Sequence, residues 1–385
     1  MHAAVSKKDL LRVLGRCQGV ADKKSTMPVL GNVLLRATPD SLDLSATDLV
    51  VAVSGSVPAK VEKPGSIAVP AKDFFDRVRM MPEGQIGIEV GDGSNITIRS
   101  LTSARRYTLF GLPGDEFPRL PAPEGDGWVE IDVASMARLI ATTYFSISSD
   151  ETRMHLSSAL FELEDNRARM VTTDGHRLSK MEVRAPELSG KATMLIPLKG
   201  VLELKRLCDE ALSDSGKSSD PEGKNEPARI RILQSGPNVF FEVGGFHFSV
   251  KLVDAQFPPY GQVIPAQSSV AVRAPRLSFS EALKAVSLAA SDRTGGVKLT
   301  LNKNQLRVES ESPEAGEGFD EVPVDYVGSP ITIGLNARYL LEVLGAIVDD
   351  EVIIGITGEL DPAVIRPGGS RENQDYLAVV MPMRI

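Results

Sequence analysis

One pattern recurs three times along the chain and limits its fold more than any other feature: an apolar strand stops at a proline or polar residue and continues as an amphipathic helix. SIAVPAKDFFDRVRMM begins at Ser66, TMLIPLKGVLELKRLC at Thr193 and ITIGLNARYLLEVLGAI at Ile331. Pro70 and Pro197 stand at matching places near the helix start, where a missing amide hydrogen costs little. Asn336 takes that place in the third copy and is a candidate cap. A second helix precedes each of these, in VSKKDLLRVLGRCQGV from Val5, DVASMARLIATTYFSI from Asp132 and RAPRLSFSEALKAVSLAA from Arg273. Leu10, Leu11, Leu14 and Cys17 recur at three- and four-residue steps, as do Met136, Leu139, Ile140 and Thr143, so each helix buries one face. The period of about 130 residues is the size of one domain.

Short alternating runs separate the helices, among them GNVLLRA, SLDLSATD, NITIRSL, ALFELED, ARMVTTD, NVFFEVG and EVIIGITG. Period-two alternation bounded by Gly, Asp, Asn and Pro marks half-buried antiparallel strands. The expected fold class is therefore α+β, with three repeated domains of antiparallel sheet and two helices each, over 1–127, 128–271 and 272–385. The stretch from Pro118 to Trp128 reads as the first linker and Pro265 to Pro275 as the second. Asp209 to Arg229 is polar, rich in Ser, Gly and Pro, and reads as a surface loop.

A length of 385 residues needs two or three cores, and 42% hydrophobic with 24% charged residues is the balance of globular chains. No run reaches the ~20 apolar residues of a membrane span, and MHAAVSKKDLL lacks a secretory core, so the cytoplasm is the expected location. Cys17 and Cys208 each lie in a helix among apolar neighbours, which excludes a disulfide framework and points to buried thiols.

The net charge of -8 argues against nucleic acid until its distribution is counted. The six expected helices together carry +7 and the rest of the chain -15, with the first helix, taken from Lys7 to Lys24, supplying +4. Basic helices within an acidic envelope suit a protein that surrounds DNA without adhering everywhere; solvated helix faces gathering lysine would give the same count.

Catalytic signatures are missing. The sequence holds no GxxxxGK[ST] loop, no GxGxxG after a strand, no GxSxG elbow, and His2, His155, His176 and His247 never take zinc spacing. No cofactor or metal is expected. Asp174 and His176 in TTDGHRLSKMEV could do acid–base work, yet DG is also an ordinary turn dipeptide.

That same TTDGHRL segment resembles the bacterial DNA sliding clamps, the beta subunits of DNA polymerase III. Further matches are STMPVLGNVLL near Ser25, SATDLVV at Ser45, VPAKDFFD at Val69, GLPGDEFPRL at Gly111, KLVDAQFPPY at Lys251 and the terminal VVMPMRI from Val379. The resemblance covers the whole chain. It implies a homodimeric head-to-tail ring of six similar domains that holds polymerase on double-stranded DNA without sequence preference. It also implies an apolar groove for short peptides of polymerase subunits, the clamp loader and repair proteins. Carried over by motif, the groove comprises Leu156, Thr173, Gly175, His176, Arg177 and Leu178, with Pro258, Val263, Asn336, Tyr339, Val379, Val380, Met381, Pro382, Met383 and Arg384. Methionines and branched aliphatics make an adaptable pocket, and Arg177 and Arg384 are expected to meet a polar or acidic group. Gly261 and Gln262 replace a basic rim found in the family, and Met154 and His155 replace aromatic residues of some members.

Within this picture Lys8, Arg12, Lys24, Arg77, Arg79, Arg153 and Lys199 are the expected DNA-facing residues. Arg99, Arg105 and Arg106 on one hairpin are expected to meet Glu309, Glu311, Glu314 and Glu317 of a second copy, around Tyr107 and Leu109. The alternatives are a peptide-binding scaffold of the same fold that does not encircle DNA, and an enzyme built on Asp174 and His176. Whether the basic residues share one cavity separates the first of these from a clamp.

Overall fold

The computed structural model describes residues 1–215, 227–291, 295–369 and 373–384, so most of the expected loop at 209–229 lies outside the described residues. Among those described, one order of elements occurs three times: strand, helix, four strands, helix, three strands, with a further two-residue strand, Leu112–Pro113, closing the first copy. The helices are α1 (Lys7–Val20), α2 (Ala71–Arg79), α3 (Val133–Ala141), α4 (Leu198–Ser215), α5 (Arg276–Val286) and α6 (Ala337–Ala346). None of them is long and apolar enough to cross a membrane.

The helices form where the apolar spacing asked for them. In α1 the covered stripe is Leu10, Val13, Leu14, Cys17 and Val20; Val13 takes the inward place expected for Leu11, which sits at the stripe's edge. Each fully covered aliphatic side chain contributes roughly 1.5–3 kcal/mol. Ser6 caps α1 by accepting from Asp9 N at 3.5 Å, and Asn336 caps α6 by accepting from Tyr339 N at 3.2 Å. Helix α4 continues to Ser215, past the expected end at Glu210, because Ala211 extends its buried face. Burial pushes both the Cys17 and Cys208 thiols up to about 12, so neither is a ready nucleophile.

Two compact units result, Met1–Ala134 with Lys199–Leu252, and Ser135–Leu198 with Val253–Ile385. They do not coincide with the three repeats, and the sheets give the reason. Each repeat supplies two four-stranded antiparallel sheets, and the last strand of one repeat pairs with a strand of the repeat before it. In the first unit Phe246–Lys251 joins Val51–Lys63, with Val250 opposite Val51. In the second unit Gln374–Val380 joins Arg177–Arg184, with Val380 opposite Arg177. The strands of the middle repeat are thereby shared out between the units. The expected linker Pro265–Pro275 is half strand: Val270–Pro275 pairs with Glu351–Ile356 and opens the third repeat.

The two strands that receive these pairings, Val51–Lys63 and Arg177–Arg184, start from turns of one design. Asp48 Oδ1 accepts from Val50 N at 2.9 Å and Val51 N at 2.7 Å, and Asp174 Oδ1 accepts from His176 N at 2.9 Å and Arg177 N at 3.1 Å. Thr47 and Thr173 donate their hydroxyls to the carbonyls of Val51 and Arg177. The middle residue is left-handed in both, Gly175 at φ 92° and Leu49 at φ 75°. A leucine there costs roughly 1–2 kcal/mol, against 0.5–1 kcal/mol of extra chain entropy for glycine. Leu49 is about half exposed, so little burial offsets the strain. Leu49→Gly is expected to raise the denaturant midpoint of the first unit slightly, and Gly175→Leu to lower that of the second; a drop on Leu49→Gly would show that its side chain matters more than its backbone.

Candidate functional site

The second unit carries an apolar groove of about 260 Å³. Its floor follows from strand register: Leu178 stands opposite Thr173 on one side and Val379 on the other. Beneath it Leu160, Val171, Leu195, Phe257 and Leu377 close a buried cluster. The turn at Gly175 and the segment after Val380 rise at one end, tied by Met381 N donating to His176 O at 2.9 Å. Pro258, Pro259, Tyr260, Gln262 and Val263 make one wall, and His155 with Leu156 the other side.

Nine expected residues line this groove: Leu156, Thr173, Gly175, Arg177, Leu178, Pro258, Val263, Val379 and Met381. Seven do not. Val380 is 0% exposed and belongs to the sheet core, because strand alternation turns it away from Val379. Asn336 is engaged as the α6 cap, Met383 N donates to Gly334 O at 2.9 Å, and His176, Tyr339, Pro382 and Arg384 lie outside the lining. His155, Pro259, Tyr260 and Gln262 were missed, although Pro259 and Tyr260 complete the FPPY segment from which Pro258 was taken.

Arg177 requires a correction. It is 6% exposed, with Nε on Asp174 Oδ2 at 3.0 Å and its other nitrogens on Glu342 and the carbonyl of Phe145. Its guanidinium lies 4.3 Å from the Tyr339 ring centroid and 5.6 Å from that of Phe145. A guanidinium satisfied on both faces and edges is a strut and not a free hook for a ligand carboxylate. The Asp174 carboxylate is spent on the same strut and on two turn amides, so it does not orient His176 for acid–base work. Among the described residues no cluster of His, Cys, Asp and Glu could hold a metal.

The basic positions divide by partner. Lys8 and Lys24 are exposed and make no ion pair among the described residues. Arg12 donates to Gly244 O at 3.2 Å and reaches Glu210 at 3.6 Å; Arg16 is also on Glu210, Lys7 is buried against Glu83 at 2.7 Å, and Lys199 pairs with Asp48. Arg77 donates to Asp73 O at 2.9 Å, Arg79 meets Asp76 at 3.3 Å and Arg153 meets Asp150 at 3.0 Å. Helix α1 therefore offers less free positive charge than its composition suggests, because Glu83 and Glu210 face it. Lys23 and Lys24 follow its end at Val20.

Two of the sheet-end strands concern the expected contact between copies: Arg106–Phe110 ends the large sheet of the first unit, and Gly316–Pro323 ends the four-stranded sheet of the second. Each hairpin repels itself across its strands, with Arg99 opposite Arg106 and Glu311 opposite Glu317. Arg105 lies exposed nearby, donating to the carbonyl of Met80, while Glu309 pairs with Arg307 at 3.0 Å; Glu314 and Glu317 are exposed. Leu109 corrects the expectation: it is 5% exposed, closed inside its own unit, and Tyr107 is half-buried beside it. Exposed apolar groups include Phe110 at 79% and Phe319 at 65% on these two strands, and Leu288 at 82%. Period-two spacing places Tyr107 and Leu109 on one face without saying which face is covered.

Three family models match the chain in succession: the DNA polymerase III beta subunit N-terminal domain over residues 1–121, its central domain over 130–259 and its C-terminal domain over 261–384. The chain is 33% identical over 388 residues to the beta sliding clamp of Pseudomonas putida and 32% over 387 residues to that of Escherichia coli, with 100% of each chain covered. The crystal structure of a Pseudomonas aeruginosa sliding clamp bound to griselimycin matches with a TM-score of 0.90 at 30% identity, over 100% of both chains.

Proposed function

The chain belongs to the family of beta sliding clamps, the DNA polymerase III beta subunits, and from that premise we propose how it works as a polymerase processivity factor. It is a ring-shaped clamp on duplex DNA that tethers the replicative polymerase through a peptide groove. Its three domains span 1–127, 128–271 and 272–385, and two copies close the ring head to tail. The groove residues are those lining the cavity beside Gly175 and Met381, and polymerase, clamp loader and repair proteins share it. The chain catalyses no reaction itself.

The observation that carries the ring is the pairing rule between repeats. Within the chain, the last strand of the second repeat joins the first repeat, and the last strand of the third joins the second. The strands left over are the first repeat's counterpart of those joining strands, Arg106–Phe110, and the third repeat's equivalent acceptor, Gly316–Pro323. Their opposite charges make each the partner the other lacks, and a second copy supplies both joints at once. Primer extension on a circular template, with the matching polymerase and loader, tests the whole reading: long products that vanish without this protein are expected, and short products in its presence would defeat it.

DNA contact rests on Lys8 and Lys24, the two expected positions with unpaired ammonium groups. Lys8→Glu with Lys24→Glu is expected to shorten the lifetime on closed circular DNA equally for unrelated sequences and to flatten its salt dependence, since fewer phosphates are neutralised. Loss restricted to one sequence would contradict a clamp. Reversal at Arg12 or Lys199 should perturb folding as well, because those charges have carboxylate partners.

A further inference from the structure

We infer that a row of three charged residues, Glu162, Arg169 and Glu182, is a positioning device that holds the outer wall of the groove through Tyr260. The inference rests on the groove reading above and adds to it what fixes the groove's width. Glu162 stands directly opposite Arg169, and Arg169 directly opposite Glu182, across three neighbouring strands. Arg169 donates to Glu162 Oε2 at 3.0 Å and from Nε to Glu182 Oε2 at 2.8 Å. The Tyr260 hydroxyl donates to that same Glu162 oxygen at 2.9 Å and accepts from Arg169 Nη1 at 3.2 Å. All three charged side chains are about one-fifth exposed, so their bonds are little diluted by water.

The wall needs such a tie. Pro258 and Pro259 have no amide hydrogen, and the backbone hydrogen bonds of residues 254–264 among the described residues run within the turn, from Gln262 N to Pro259 O and from Val263 N to Tyr260 O. Apolar packing of Phe257, Ile264 and the Tyr260 ring fastens it to the sheet, and the Tyr260 hydroxyl adds its one polar tie there among the described residues. The other repeats act as internal controls. Equivalent positions hold Arg36, Asp43 and Ser56 in the first repeat and Thr300, Arg307 and Glu321 in the third. Where the second repeat's linker has Phe257-Pro258-Pro259-Tyr260, the first has Phe117-Pro118-Arg119-Leu120. The carboxylate–arginine–carboxylate row and the tyrosine occur together only in the repeat whose linker forms the groove. A wall held in place before binding spares the ligand the cost of ordering it.

Tyr260→Phe keeps the ring and removes both hydroxyl bonds. It is expected to weaken an apolar peptide from the matching polymerase roughly three- to tenfold in calorimetry, the scale of one or two net hydrogen bonds. Amide exchange at Gln262 and Val263 should quicken while the melting temperature stays near wild type. Arg169→Met should do the same more strongly, and Arg169→Lys, which keeps the charge but not the fork, should recover part of the loss. Wild-type affinity and unchanged exchange in Tyr260→Phe would overturn the inference. Failure of the wild type to bind the peptide would instead overturn the groove reading, and the exchange measurement would still decide whether Tyr260 holds the wall.

Discussion

A chain ended at Val380 is expected to fold, to dimerise and to bind partner peptide at least about tenfold more weakly. The last strand, Gln374–Val380, keeps its full ladder against Arg177–Arg184 without the residues that follow, and Val379 and Val380 are both buried by it. What is lost is Met381, which lines the groove, and two backbone anchors, Met381 N to His176 O and Met383 N to Gly334 O, each 2.9 Å. A leucine and a phenylalanine of the ligand would each contribute roughly 1.5–3 kcal/mol on burial, so losing half the enclosure of one weakens binding at least about tenfold. Met381→Asp isolates the effect from truncation. It leaves both backbone bonds in place and sets a carboxylate against an apolar ligand, whose binding cannot compensate the lost hydration. Calorimetry run beside a thermal melt checks both: unchanged affinity would remove Met381 from the site, and a collapsed melt on truncation would make the terminal segment part of the core.

Much of this architecture was legible in the sequence because repetition and periodicity are local properties. The three strand-then-helix segments fold where apolar spacing put them, and even the Asn336 cap is readable from residue type and place. Facts that depend on which residue lies opposite which were not legible. The +4 counted over Lys7–Lys24 includes Lys23 and Lys24 beyond the helix end at Val20, and within α1 Lys7, Arg12 and Arg16 spend their charge on Glu83 and Glu210, from segments about 75 and 200 residues away. Arg177 was assigned by motif to the groove, which it does border, yet Glu342 and the Tyr339 ring make it a buried strut. Glu162, Arg169 and Glu182 are unremarkable as separate charges and form a row only through strand register. Val379 and Val380 are adjacent and alike, and alternation alone sends one to the groove and the other to the core.

Joining the open edges in the register used inside the chain gives a specific expected result for two copies. Lys251 opposite Asn238 and Phe110 opposite Asn95 make Leu109 the counterpart of Val250. The left-handed Asn166 and Asn304 precede matching strands, Arg167–Thr173 and Gln305–Ser312, so Glu311 holds the place of Thr173; Glu311 stands opposite Glu317 as Thr173 stands opposite Leu178, which makes Gly316 the counterpart of Arg177 and hence of Val51. Val250 opposite Val51 and Val380 opposite Arg177 then set Leu109 opposite the partner's Gly316, Thr108 opposite Glu317 and Tyr107 opposite Gly318. Thr108 and Glu317 are both exposed, so Thr108→Cys combined with Glu317→Cys should yield a covalent dimer on oxidation, while Thr108→Cys with Asp320→Cys, about three residues out of register and beyond disulfide reach, should not. Equal cross-linking of both pairs, or of neither, would reject this register. Leu288, the most exposed large apolar residue described, neighbours Ala289, which an added side chain at Gly318 would meet at 3.3 Å. A closed ring has two identical joints, so Leu288→Asp forfeits at least about 1.5 kcal/mol at each and should weaken dimerisation a hundredfold or more. Leu109→Asp should instead lower the melting temperature of the protomer, because that side chain is covered before any partner arrives. Ultracentrifugation at micromolar concentration, with a melt of each variant, distinguishes the two; a Leu288→Asp dimer as tight as wild type would mean that the edges close elsewhere.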